Sequence, residues 1–183
     1  MKHIIIIGGT GMLQDVAGYY TAQDYYVTVL ARNADRLYAL KKKFIKHPGK
    51  IIPIAQDYRD WKTSVQKIKD VIEMTGPVEI AVLWIHDAGG IFSGKLKELL
   101  LTQNTFTKVY QLLGSASAHP KTLSNIEWKR RFPERYREIY LGYVRNERST
   151  RWLTDKEISE GVIRAIQMDE SSSTIGILEP WVI

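Results

Sequence analysis

"IIIIGGTGMLQDVAGYY", residues 4–20, runs from four isoleucines through a cluster of glycines into a stretch whose apolar positions are spaced like a helix. Isoleucine is β-branched and suits a buried, pleated strand, whereas Leu13, Val16 and Tyr20 recur three and four residues apart on one helical face. Between them stand Gly8, Gly9 and Gly11. Alone, these glycines support two readings: a tight turn between strand and helix, or a turn whose backbone amides meet an anion at the helix N-terminus. The remainder of the chain decides which applies.

Apolar runs rich in β-branched residues recur at 25–30, 51–55, 80–85, 109–113, 139–144 and 175–178, which together with 4–7 predicts seven strands. Most lack strict alternation, as expected of strands covered on both faces by helices. Helical spacing joins Leu37, Leu40 and Phe44; Trp61, Val65, Ile68 and Ile72; and Ile158, Val162, Ala165 and Ile166. Thr154 and Glu157 have capping-box spacing just before the last of these helices, and "DESSST" at 169–174 reads as a surface turn. Strand alternating with helix predicts an α/β fold: a Rossmann-type, doubly wound, mostly parallel seven-stranded sheet with helices on both faces.

At 183 residues the chain suits one domain over 1–183. Hydrophobic residues make up 44% and charged ones 25%, and no apolar run nears the roughly 18 residues of a spanning helix, so no membrane partner is expected. Only one lysine and a four-residue apolar run precede Gly8, which lacks the pattern of a secretory signal. The absence of cysteine excludes disulfides and thiolate metal sites and makes a cytoplasmic location the expectation. Four scattered histidines predict no metal site, and the net charge of +6 favours anionic partners without choosing among them.

In a doubly wound sheet, the first strand-to-helix turn lies where the strand order reverses. There Gly8 permits the sharp turn, Gly9 and Gly11 let the main chain approach a pyrophosphate, and the amides around Thr10, Met12 and Leu13 are donors. Gln14 stands where a third evenly spaced glycine would complete the cradle. The second strand ends in "VTVLARNADRL", and the residue at its tip faces the adenosine ribose. An acidic residue there suits the 2′-hydroxyl of NAD, whereas Arg32, with Arg36 one turn on, suits the 2′-phosphate of NADP(H). Asn33 and Asp35 help start the following helix.

"GGTGML" and "ARNADRL" are similar to the nucleotide turns of the short-chain dehydrogenase/reductase family, particularly its atypical, glycine-variant members. "AQDYRD" puts Asp57 where that family's aspartate meets the adenine, and "HDAGG" at 86–90 puts His86 where the family has Asn-Asn-Ala-Gly. "EISEGVIRAIQMDESSSTIGIL" resembles its C-terminal helix and final strand. The resemblance implies an NADP(H)-binding protein with a small-molecule substrate and a possible homo-oligomer. It also implies hydride transfer by a tyrosine, a lysine four residues later and a serine after the fifth strand.

This chain departs from the pattern at that point. The fifth-to-sixth connector, "AHPKTLSNIEWKRRFPERY" at about 118–136, holds Pro120 and Pro133 and has no room for the long catalytic helix. Tyr38 with Lys42 and Tyr58 with Lys62 have the right spacing but follow the second and third strands, toward the adenosine end. Ser115, Ser117, His86 and Tyr143, the last expected on the sixth strand, remain as candidate catalytic groups. Two other classes stay open: a non-catalytic NADP(H)-binding sensor or regulatory protein, and a nucleic-acid binder using "WKRRFPERYR". The latter run reads better as a solvated connector, so nucleic acid is not expected as a partner.

Overall fold

The isoleucine run forms strand β1 (Lys2–Ile7), and its side chains divide between two cores: Ile4 and Ile6 enter one, Ile5 and Ile7 the other. All four are fully buried, the physical reason four apolar residues follow one another without alternation. The structure is a computed structural model that describes residues 1–86, 90–114, 126–145 and 149–178.

From β1 the chain continues as α1 (Gln14–Ala22), β2 (Tyr25–Ala31), α2 (Ala34–Lys43), β3 (Lys50–Ala55), α3 (Trp61–Thr75) and β4 (Ile80–Leu83). Then follow α4 (Ile91–Thr102), β5 (Lys108–Gly114), α5 (Ile126–Arg131), β6 (Tyr136–Leu141), β7 (Tyr143–Arg145), β8 (Thr150–Trp152), α6 (Asp155–Met168) and β9 (Ser172–Ile175). Seven strands form one sheet in the order β3-β2-β1-β4-β5-β6-β9, every neighbouring pair parallel. The order reverses between β1 and β4, so the turns after these strands open into one crevice. Apolar residues of α1, α2 and α6 fill one core and those of α3 and α4 the other. The expected Rossmann-type architecture is what is observed.

Four local expectations change. The run at 139–144 is two strands: Gly142 separates β6 from β7, and a Cβ there would strike the backbone of Ile177. β7 pairs antiparallel with β8 in a hairpin of its own. The last sheet strand is Ser172–Ile175, overlapping the expected surface turn at 169–174 and meeting the expected strand at 175–178 only at Ile175, because an edge strand with one neighbour and alternately exposed side chains does not require an apolar run. Helix α4, absent from the sequence reading, buries Phe92, Leu96 and Leu100 at a spacing of four. The capping box of α6 forms as expected, with Thr154 and Glu157 exchanging side-chain and backbone hydrogen bonds.

Among the described residues no helix is long and apolar enough to cross a membrane, and no group of three metal-ligating side chains forms.

Candidate functional site

The crevice begins at the glycines. Gly8 has φ +83°, in the left-handed region, its amide donates to the carbonyl of Leu30 at 3.1 Å, and a Cβ there would lie 3.1 Å from the Trp84 carbonyl oxygen. Gly9 has a packing role beyond the one expected. A Cβ at that position would come within 2.8 Å of Val29 Cγ1 and 2.9 Å of Ile6 Cγ2, so its missing side chain lets the turn pack onto β1 and β2. Gly11 does face open space, with nothing within 4 Å of a Cβ. The Gln14 amide donates to the Gly11 carbonyl at 2.9 Å and leads the turn into α1. Leu13 caps that helix without a side-chain hydrogen bond, so no side chain of the cap residue competes for the first-turn amides. The Leu13 side chain is fully buried, so its backbone is what it can offer a ligand, in keeping with the expected role of its amide. Thr10 and Met12 are half-buried, and the Met12 carbonyl accepts a hydrogen bond from Ser159 Oγ of α6 at 2.7 Å.

At the tip of β2, Arg32 and Arg36 are exposed, and Asn33 caps α2 by accepting the Arg36 amide at 2.9 Å. Asp57, after β3, is held by a residue the sequence reading did not single out. Arg59 donates from Nε at 2.9 Å and from its terminal nitrogen at 2.5 Å to one carboxylate oxygen, and from its backbone at 3.0 Å to the other. The side-chain hydrogen bond from Arg59, its backbone amide and the nearby charge of Arg32 hold the Asp57 carboxyl down at about 2. Asp57 is therefore an anion flanked by guanidinium groups. The i, i+2 spacing of Asp57 and Arg59 was the available signal.

His86 is exposed just past β4, its ring edge-on to Trp84 with centroids 4.3 Å apart. The Tyr58 hydroxyl accepts the His86 amide at 3.3 Å and reaches its carbonyl at 3.4 Å, while its ring stacks on Phe92 at 5.4 Å. Tyr58 thus braces the end of β4 rather than lying wholly toward β3. Tyr38 projects into solvent from α2.

Beside the glycine turn lies a cavity of about 330 Å³, walled by Met12, Trp84, Leu141, Trp152, Leu153 and Ile158 and bordered by Gly114 and Gly142. It gathers the ends of β4, β5 and β6, the hairpin and the start of α6 into one apolar chamber. Tyr143 belongs to β7, not to the sixth strand as expected, and borders a separate cavity of about 210 Å³ with Thr150, Arg151 and Trp152. Ser115 and Ser117 lie outside the described residues.

The basic and aromatic run after Trp128 is largely committed to packing. Arg131 pairs with Glu98 at 2.7 Å, Lys129 pairs with the buried Glu138, and Arg135 donates to the carbonyls of Asn104 and Leu101. Trp128 and Phe132 stack against the α3–α4 core, and Tyr136 is buried.

No protein-family model matches the chain. By sequence it is similar to the 3-ketodihydrosphingosine reductase of Bos taurus, 26% identical over 175 residues, 91% of this chain and 51% of that protein. The enzyme of the same name from Mus musculus is 29% identical over 127 residues, 64% of this chain and 36% of that protein. The chain spans about half the length, or less, of these curated relatives. By structure it resembles an alcohol dehydrogenase from Thermococcus sibiricus complexed with 5-hydroxy-NADP, with a TM-score of 0.75, 15% identity and coverage of 100% of this chain and 98% of that one. It also resembles a β-ketoacyl-[ACP] reductase from Bacteroides thetaiotaomicron, with a TM-score of 0.74, 16% identity and coverage of 97% and 96%.

Proposed function

We propose that this chain, which shares its fold with short-chain dehydrogenase/reductases and is similar in sequence to curated reductases, binds NADP(H) and acts as an atypical carbonyl oxidoreductase with a rebuilt proton-donating site. The observation that carries the reading is the turn after the central strand. Gly11 is open to approach and no side chain of the cap residue hydrogen-bonds the first-turn amides of α1, while Arg32 and Arg36 stand exposed at the neighbouring strand tip. A pyrophosphate fits the first feature and a 2′-phosphate the second. Asp57, anionic and braced by Arg59, can accept a hydrogen bond from an adenine amine. When bound, the reduced nucleotide supplies a hydride to a carbonyl carbon, whose oxygen then needs a proton from a protein group or water.

Under this reading, the supply of that proton departs from the family pattern that the sequence resembles. Neither Tyr-x-x-x-Lys pair lies on the β5–β6 connector, where α5 has six residues. Ser115, Ser117, His86 and Tyr143 are the candidate donors. A second reading, a non-catalytic NADP(H) sensor, draws on the same departure, and under it the nucleotide binds without turnover. Simple carbonyl substrates should turn over very slowly or not at all, since a positioned general acid contributes about 10²–10⁴-fold.

Dissociation constants for NADPH and NADH test the assignment. NADPH should bind at least about tenfold more tightly, the value of one charge-assisted contact, and Arg32→Ala should remove most of that difference. Equal affinities for the two nucleotides, or a preference that survives Arg32→Ala, would overturn it.

A further inference from the structure

We propose that the 330 Å³ cavity receives the hydrocarbon part of the substrate, so that this site selects ketones or aldehydes bearing an alkyl chain over polyhydroxylated or carboxylated ones. The inference rests on the nucleotide reading above, which sets the reacting carbon beside the glycine turn. Met12 and Trp84, the cavity walls on that side, belong to the turn and to the end of β4. The remaining side-chain walls, Leu141, Trp152, Leu153 and Ile158, are also apolar, and no charged side chain lines the cavity among the described residues. A hydroxyl or carboxylate moved there from water would lose its hydration without gaining a partner, whereas a methylene gains on transfer.

Trp152 adds an independent observation. It borders the cavity yet is 73% exposed, a large aromatic surface left in water at the cavity's outer wall, which a bound hydrocarbon would cover. Its neighbour Arg151 makes two 2.8 Å hydrogen bonds to the Glu157 carboxylate at the start of α6, the helix that also supplies Ile158. The hairpin wall and the helix wall are thereby held together before any ligand arrives.

The test is calorimetric binding of straight-chain methyl ketones from 2-butanone to 2-nonanone, with dihydroxyacetone and pyruvate for contrast, to the protein with and without NADPH. Affinity should rise about fourfold per added methylene until the cavity is filled and then level off, and the two polar compounds should bind too weakly to detect. Trp152→Ala should weaken the longer ketones by about tenfold while Trp152→Phe restores most of the affinity, with NADPH binding unchanged in both. Affinity independent of chain length, or unaffected by Trp152→Ala, would overturn the proposal. Chain-length-dependent ketone binding by a protein that fails to bind NADPH would support the cavity assignment and overturn the nucleotide reading alone.

Discussion

A methyl group at Gly9 would meet Val29 and Ile6 at 2.8 and 2.9 Å, and one at Gly11 would meet nothing within 4 Å. Gly9→Ala should therefore cost about 1–3 kcal/mol, because short branched side chains in a filled core cannot swing aside. Gly11→Ala should leave the urea midpoint near wild type and weaken NADPH binding, since its Cβ intrudes only on a ligand. Urea unfolding and nucleotide titration of the two variants check the pair, and matching behaviour in both assays would contradict the distinction. At the opposite end of the sheet, His3 is buried with Nδ1 3.0 Å from the Gly76 carbonyl and Nε2 2.8 Å from Thr28 Oγ1. A carbonyl only accepts, so Nδ1–H donates to it and Nε2 accepts the threonine hydroxyl: a neutral ring. Burial lowers the His3 pKa below the usual 6.5, against the opposing effect of the Gly76 hydrogen bond. The unfolded chain then binds the extra proton more readily than the folded one. Stability should be full above about pH 6.5 and fall as pH drops toward the folded value, by at most about 1.4 kcal/mol per pH unit. His3→Gln should flatten that contribution in urea midpoints taken at pH 7.5 and 5.5.

At the scale of elements, α6 connects the outer sheet to the candidate site. Its N-terminus joins two devices in one carboxylate: Glu157 accepts the Thr154 amide at 2.8 Å and receives both Arg151 hydrogen bonds. The Arg151 side chain, followed by the Thr154 backbone and hydroxyl, holds the Glu157 carboxyl down at about 2, so this junction stays ionised through neutral pH. Thr154→Ala should lower stability by about 1 kcal/mol through the lost cap, measurable as a fall in thermal midpoint. A variant as stable as wild type would show that the hairpin contacts hold the helix start without the cap.

For the whole molecule, the far end of α6 is fastened by one residue. Asp169 sits in the left-handed region at φ +53° and pairs with Lys108 of β5, while Tyr110 donates to it at 2.8 Å and Arg137 of β6 at 3.2 Å. Burial pushes its carboxyl up, but hydrogen bonds from Lys108, Tyr110 and Arg137 bring it below the usual range. Arg137 is nearly buried, its side chain 7% exposed, and loses a charged partner if Asp169 is removed. Asp169→Ala should therefore destabilise the fold by about 3 kcal/mol, the scale of stranding one member of a buried pair. Chemical denaturation measures this, and a loss below about 1 kcal/mol would mean that backbone carbonyls suffice to satisfy Arg137.

Patterns of neighbours along the chain determined the architecture. β1 is buried on both faces and its sequence is uninterrupted isoleucine, α3 and α6 show their apolar faces in their spacing, and Thr154 announces the start of α6 three residues ahead of Glu157. Parallel strands sandwiched between helices require such runs, so the doubly wound sheet was legible before any coordinates. So was the position of the glycine turn. What each glycine does was not: Gly9 and Gly11 are the same residue two positions apart, and only side chains from β1 and β2 separate a packing glycine from an open one. The edge strand Ser172–Ile175 escaped the reading because its burden of burial is small, and the β7–β8 hairpin because three-residue strands carry too little periodicity. The apolar cavity was likewise beyond the sequence. Its walls come from positions between 12 and 158, and only the strand order places Met12, Trp84, Leu141 and Trp152 around one volume, since tertiary proximity has no signature in the spacing of residues so far apart.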